Sequence, residues 1–283
     1  MFNIIKQMYH TINVSGQLLE LSHPLVMGII NSTPDSFYSH SRTQASHDIS
    51  ARADEIIAEG GAMIDVGGCS TRPGFTDVGA KEEMSRLRVA LEAVRMAQPD
   101  SIVSVDTFRP DVARMAVEEY GVSIINDVAR GWGTMNPEPR QSGDMPPMFA
   151  MVAKLRVPYV LTSHCGTISD MMTDFALAVS QLRGLGVSDI IADPGFGFGK
   201  TLDQNYSILA HLSQLKALEL PVLAGVSRKS MATRLLGVSP SEALNGTTAL
   251  HTAVLLGGAC ILRAHDVKEA VETCRIVTKL MES

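Results

Sequence analysis

The chain has no Cys-x-x-Cys pair, no long basic run and no apolar stretch long enough to span a membrane. Its four cysteines, Cys69, Cys165, Cys260 and Cys274, are scattered. That excludes a zinc knuckle or dithiol redox motif and fits a reducing compartment. A net charge of −6 without clustered Lys and Arg argues against nucleic acid as a partner. The longest largely apolar stretch, Ala253 to Leu262, falls short of the ~20 residues of a membrane helix. Met1 to Gly16 carries no extended apolar run and no small-residue cleavage site, so a cytoplasmic location is expected. Low-complexity segments are missing too. Apolar residues at 45% and charged residues at 19% fit a large core and argue against disorder.

What is present is a strict alternation. Short apolar or β-branched runs at 25–30, 62–66, 102–105, 123–125, 159–162, 190–192, 222–225 and 260–262 read as buried strands. Segments with helical spacing follow at 45–59, 80–97, 110–120, 146–155, 169–185, 204–218, 240–256 and 267–281. Eight strand–helix units in 283 residues predict one α/β domain, a closed (β/α)8 TIM barrel. No G-x-G-x-x-G follows the first strand, which disfavours an open dinucleotide-binding sheet. Before it, 11–21 alternates around Gly16-Gln17 and reads as a β-hairpin plugging the barrel floor. The stretch 130–143 reads as a loop.

Barrel enzymes carry their chemistry at the C-terminal strand ends. Here every strand runs into polar residues. In order these are Asn31, then Asp65 leading to Ser70-Thr71-Arg72-Pro73, then Asp106-Thr107 and Asn126-Asp127. Ser163-His164, Asp193-Pro194-Gly195, Ser227-Arg228-Lys229 and Arg263-Ala264-His265-Asp266 follow. Helix capping accounts for Asp35, Asp127, Ser169 and Asp266. It does not account for Asp106, Asn126, Asp193, Lys229 and Arg263 converging, because buried polar groups are costly unless paired or ligated. Their donors and acceptors suit a flat heterocycle with a guanidine-like edge. Lys229, Arg263 and His265, with Thr71 and Asn31, suit an anion such as phosphate, with or without a metal. Two long loops, 32–44 and 67–79, read as lids. Gly199-Lys200-Thr201 ends like a phosphate-binding loop, but Gly195 comes one position too late for that pattern. The glycines there are expected to let Phe196 and Phe198 lie against a ligand. No Ser-His-Asp or Cys-His arrangement is evident.

Seven motifs, in order and without large insertion, resemble dihydropteroate synthase. They are Met27-Gly-Ile-Ile-Asn31-Ser-Thr-Pro-Asp35-Ser-Phe37, Asp65-Val-Gly-Gly-Cys-Ser-Thr71-Arg72-Pro73-Gly74, Ser104-Val-Asp106-Thr, Ile125-Asn126-Asp127, Asp193-Pro-Gly-Phe-Gly-Phe198-Gly-Lys200, Ser227-Arg-Lys229-Ser and Arg263-Ala-His265-Asp. The resemblance implies a transferase of folate biosynthesis, a cytoplasmic homodimer and a sulfonamide target. It would condense 6-hydroxymethyl-7,8-dihydropterin diphosphate with 4-aminobenzoate and release diphosphate. It implies that Asp106, Asn126, Asp193, Lys229 and Arg263 hold the pterin, and that Asn31, Thr71, Arg72, Arg263 and His265 contact the diphosphate. Asn31 would bind Mg²⁺, and Thr71, Pro73, Phe198 and Ser227 would seat the aminobenzoate. Asp106, Asp193, Lys229, Arg263 and Asp35 would carry the catalysis. Where the family has a Met-His-Met-like stretch, this chain has Ser163-His164-Cys165, with Ser163 at a methionine that packs on the pterin. Ser32 takes a position that is often apolar. Three other readings remain at this point: a pterin-dependent methyltransferase, a catalytically silent paralogue, and a metal-dependent hydrolase. The last lacks a His-x-His after the first strand.

Overall fold

The computed structural model describes residues 10–32, 42–69, 77–134 and 144–283. Among these, β1 (Thr11–Val14) and β2 (Gln17–Glu20) form an antiparallel hairpin. Eight parallel strands follow: β3 (Leu25–Asn31), β4 (Met63–Gly67), β5 (Ile102–Asp106), β6 (Ile124–Asp127), β7 (Tyr159–Thr162), β8 (Ile190–Asp193), β9 (Leu223–Ala224) and β10 (Ile261–Ala264). They pair in the order β8-β7-β6-β5-β4-β3-β10-β9. A parallel bridge from Ala192 to Val222, with the Ala192 N–H donating to the Pro221 carbonyl at 2.9 Å, closes the ring. The barrel expected from the alternation is therefore present.

Helices cover the outside: α1 (Arg42–Ala58), α2 (Gly79–Ala97), α3 (Pro110–Tyr120), α4 (Pro147–Leu155), α5 (Ile168–Gly184), α6 (Leu202–Ala210), α7 (Ser230–Leu236), α8 (Leu244–Leu256) and α9 (Val267–Met281). Two expected helices differ. The 204–218 segment breaks at His211 into α6 and a 3₁₀ helix, Leu212–Leu218, whose buried Leu212 and Leu215 share one face at the three-residue repeat. The 240–256 segment is a 3₁₀ turn, Pro240–Glu242, followed by α8. The short α7, ended by Gly237 at φ +67°, went unread. The hairpin turn is at Ser15-Gly16, one residue earlier than expected. Both residues have positive φ, as a tight two-residue turn requires, and the Asn13 side chain accepts from the Gly16 N–H.

Strand residues alternate between two layers. One set, including Val26, Ile64, Val103, Ile125, Leu161 and Leu262, packs outward on the helices. The other faces the barrel axis and changes character along it. At the N-terminal end it is apolar: Met27, Met63, Ile124, Val160, Ile191, Leu223 and Ile261 pack with Ile12, Val14 and Leu21. The hairpin thus closes the floor, as its pattern predicts. It is tied down where the Asn13 N–H donates to Asp189 at 2.8 Å and Ser15 bonds Ser123 at 3.1 Å. Two residues further along, the inward positions of six of the eight strands become Asp65, Ser104, Asn126, Thr162, Asp193 and Arg263, with Ile29 on β3 and Gly225 after β9 completing the layer. The two proposed lids cannot be described: 33–41 and 70–76 lie outside the described residues, as does 135–143 of the loop after β6.

Ile12, at 2% exposure, fills the floor. Ile12→Ala should lower the unfolding free energy by about 2–4 kcal/mol through the cavity it leaves. Urea denaturation measures this, and a loss under about 0.5 kcal/mol would show that the hairpin does not complete the core.

Candidate functional site

The mouth is organised by one guanidinium. Arg263 on β10 donates from Nε to Asp65 at 2.6 Å and from an Nη to Asp106 at 2.7 Å. Asp65 on β4 also accepts from the Asn126 side-chain amide at 3.1 Å. The fit follows from register: Gly67 lies beside Asp106, and Asp106 beside Asn126, across adjacent strands. Asp65 is a member of the site that the strand-end pattern does not single out. Its signal was a carboxylate inside an otherwise apolar parallel strand, a position normally held by Val, Ile or Leu.

Lys229 and Asp193 complete the wall. Lys229 precedes α7 in extended backbone, and its ammonium donates to the Phe196 carbonyl at 2.6 Å. Gly225 leaves room beneath it: a Cβ there would lie 3.6 Å from the Lys229 Nζ and 3.9 Å from the Arg263 side chain. Asp193 accepts from the Gly195 N–H at 2.7 Å. Gly195 must be glycine, since its φ is +65° and a Cβ would meet the Ser163 carbonyl at 2.2 Å. Asn31 ends β3 at the same rim; its side-chain oxygen and the Asp106 carboxylate both flank the space above Gly67. Ser227 accepts from the His265 N–H at 3.2 Å and contacts the His265 ring.

Burial sets the electrostatics. It pushes Asp106 above the usual carboxylate range, with Arg263 pulling the other way and Asp65 pushing further up. Asp193 is raised by burial against the pull of Lys229. Burial draws Lys229 down to about 8, opposed by Asp193. Three buried acceptor oxygens, one each on Asp65, Asp106 and Asn126, have no hydrogen-bond partner among the described residues. Unpaired buried acceptors cost free energy until something donates to them, so the wall is built for a donor-bearing ligand.

Two brackets behind the wall hold it. Arg228, in left-handed backbone, pairs bidentately with Asp266 and donates to the Pro240 and Ser241 carbonyls, joining the β9 and β10 ends. Buried Glu83 on α2 accepts from Thr107 at 2.6 Å and pairs with Arg109, fixing the residues after Asp106. The capping expectations divide. Asp127 caps a turn through Ala129 and Gly131 and accepts from Tyr159, so it serves structure. Thr167 rather than Ser169 caps α5, its hydroxyl being the one that faces the Asp170 N–H. Asp266 spends its carboxylate on Arg228 and makes no side-chain cap.

Of the expected site residues, Asp106, Asn126, Asp193, Lys229, Arg263, Asn31, Ser227, His265 and Phe198 gather at this end. Asp35, Thr71, Arg72 and Pro73 lie outside the described residues. One expectation is overturned: Phe196 is fully buried among the outer core and cannot lie against a ligand, whereas Phe198 is half-exposed beside Lys229. Successive aromatics at i and i+2 fell on different sides because the intervening Gly197 has φ +85°. Ser163 is turned toward α5. Its hydroxyl accepts from the Cys165 N–H at 3.2 Å and stands 3.5 Å from Asp174. Burial raises the Cys69 thiol, which keeps it protonated.

A parallel barrel with an acidic and amide wall, framed by Lys and Arg, defines a pterin-binding enzyme, and the family model of that description matches residues 27–265. The chain is 38% identical over 278 residues to dihydropteroate synthase of Escherichia coli K12, covering 93% of each. The Xanthomonas albilineans dihydropteroate synthase with 4-aminobenzoic acid superposes with a TM-score of 0.85 at 34% identity, covering 98% of this chain and all of that one. The Yersinia pestis dihydropteroate synthase with a sulfonamide drug superposes at 0.81 with 35% identity, covering 97% and 100%. The chain belongs to the dihydropteroate synthase family, transferases of folate biosynthesis. These relatives favour the synthase over the methyltransferase and silent-paralogue readings.

Asp65→Ala leaves Arg263 and the Asn126 amide each short of an acceptor. It should lower the unfolding free energy by about 3 kcal/mol, the cost of breaking one side of a buried pair. Equilibrium denaturation with a loss below about 1 kcal/mol would take Asp65 out of the network.

Proposed function

We propose that this chain condenses 6-hydroxymethyl-7,8-dihydropterin diphosphate with 4-aminobenzoate to give 7,8-dihydropteroate and diphosphate. The observation that carries the reading is the set of unpartnered buried acceptors on Asp65, Asp106 and Asn126. A pterin's amino-pyrimidinone edge supplies the matching donors, and its carbonyl would accept from Lys229. Arg263, fixed by Asp65 and Asp106, would lie over the ring.

The chemistry asks for electrostatics more than for a nucleophile. As the bond from the pterin methylene to the diphosphate oxygen breaks, both bonding electrons leave with diphosphate. The ring system takes up the resulting positive charge. Asp106 and Asp193 would stabilise that charge, and the aminobenzoate nitrogen attacks the methylene and then loses a proton to solvent. Asp35 would add a carboxylate. Ser227 and Phe198, with Thr71 and Pro73, would seat the aminobenzoate; Thr71, Arg72, Arg263 and His265 would hold the diphosphate. Aminobenzoate mimics such as sulfonamides would then compete for that seat.

Mg²⁺ suits this site. Among the described residues no group of three or more His, Cys, Asp or Glu could cage a metal, and Asn31 offers a single neutral oxygen at the rim. That donor set fits an ion bound through one protein ligand and the substrate's own phosphates. Mg²⁺ held by Asn31 would neutralise charge on the leaving diphosphate.

A homodimer is supported by exposed Leu235 and Leu236 on α7 and exposed Ile276 and Leu280 on α9, which flank α8. Among the described residues no helix is long and apolar enough to cross a membrane. Cysteines kept as thiols rather than disulfides fit a reducing compartment, and the cytoplasm is the location proposed.

The direct test follows diphosphate release. Release should require both organic substrates and stop when a chelator removes Mg²⁺; no release despite pterin binding would sink the synthase reading. A second prediction comes from Lys229. Its folded-state pKa is lowered to about 8, so its charge is lost as pH rises through that value. The kcat/KM for the pterin diphosphate should fall on the alkaline side with an apparent pKa near 8. Lys229→Ala should lower it roughly tenfold at neutral pH and abolish that limb. An unchanged limb in the variant would assign it to another group.

A further inference from the structure

We infer that His164, at the end of β7, is a positioning residue that acts on Lys229 through the ring of Phe198. The inference rests on reading Lys229 as a pterin-holding group. It gives a task to the strand end whose residues, Ser163-His164-Cys165, depart from the family pattern around a retained histidine.

The ring of His164 is fixed first. Its Nε2 lies 2.5 Å from the Val128 carbonyl. A carbonyl only accepts, so Nε2 carries the proton and donates. Burial, with Lys200 and Arg130 nearby, holds the imidazole below its ordinary pKa, which favours the neutral ring. So anchored, the imidazole stacks on Phe198 with centroids 5.9 Å apart and planes 17° from parallel. This is an offset stack, the arrangement aromatic rings prefer. The ammonium of Lys229 stands 4.5 Å from the centroid of the same Phe198 ring, within cation–π range. The imidazole therefore sets the face that Lys229 meets.

The loop bearing Phe198 is pinned through its backbone, not through the Phe198 ring. The Lys200 ammonium donates to the Ser163 and Gly195 carbonyls, both at 2.9 Å, and to the Phe198 carbonyl at 3.4 Å, and the Phe198 N–H donates to the Gly195 carbonyl at 3.1 Å. Asn205 accepts from the Gly197 N–H at 2.8 Å. These bonds fix the backbone and, through Phe196, the carbonyl that Lys229 uses. They leave the Phe198 side chain to its ring contacts. Among the described residues, His164 is the polar ring contact besides Lys229 itself, and Phe108, Val128 and Ala129 pack with Phe198 as well.

Calorimetric titration of the full chain with 6-hydroxymethyl-7,8-dihydropterin diphosphate and Mg²⁺, without aminobenzoate, tests this. His164→Ala should weaken binding about three- to tenfold. His164→Asn, which keeps a donor for Val128 but has no ring, should do the same. His164→Phe, which keeps the stack, should restore binding to within about twofold. In a Phe198→Leu background, His164→Ala should cost nothing further, since the route through the ring is already cut. Asparagine binding as well as histidine, or losses that add in the double variant, would overturn the inference. Failure of the unsubstituted chain to bind the pterin would instead overturn the reading of the pocket.

Discussion

A guanidinium carried into a barrel interior must recover the hydration it loses, and Arg263 does so by lying between Asp65 and Asp106. The recovery is incomplete by design of the strands. Asp65 and Asp106 each keep one oxygen with no partner, and Asn126, which donates to Asp65, keeps its own oxygen bare. The network is thus satisfied enough to be rigid while keeping acceptors unpaired. Rigidity matters because acceptors that need not reorganise stabilise a developing charge more effectively than water does.

The support is layered along the barrel axis. Inward positions nearest the hairpin are apolar and close-packed, so no water approaches the network from below. One pleat higher the same strands present Asp65, Asn126, Asp193 and Arg263. Behind the wall, two ion pairs brace the strand ends: Arg228 with Asp266 joins the segments after β9 and β10, and Arg109 with Glu83 joins the segment after β5 to α2. Each brace lies close to a residue that faces the mouth. Arg228 precedes Lys229, and Glu83 bonds Thr107, which follows Asp106.

This geometry explains what could be read from sequence. Asp106, Asn126, Asp193 and Arg263 were legible because each is a polar residue in the inward phase at the end of an apolar strand. Lys229 was legible by its neighbours Ser227 and Arg228. Asp65 was hidden because it lies within its strand, where a carboxylate looks like an interruption and not an end. Phe196 and Phe198 could not be told apart, since a glycine with positive φ between them breaks the period that would have sorted them. His164 stood out as a polar strand end but its task did not: its partners, Val128 and Phe198, come from two other strand ends, and only the closed barrel brings them together. Helix ends were least legible where two hydroxyls compete, as with Thr167 and Ser169.

The opposed pKa shifts in the mouth have one cause. Burial raises Asp106 and Asp193 and lowers Lys229, so each group is pushed toward neutrality by lost hydration that the protein only partly replaces. A ligand that donates to the carboxylates and accepts from the ammonium would return that hydration and favour the charged form of all three. The groups that recognise the ligand are then ionised by recognising it. Under the proposed reaction, carboxylates charged in this way would face a substrate that becomes cationic as its leaving group departs. The same buried, underpaired oxygens would then give both selectivity for a donor edge and stabilisation of the charge that follows. A fully paired wall would have been more stable and would have done neither.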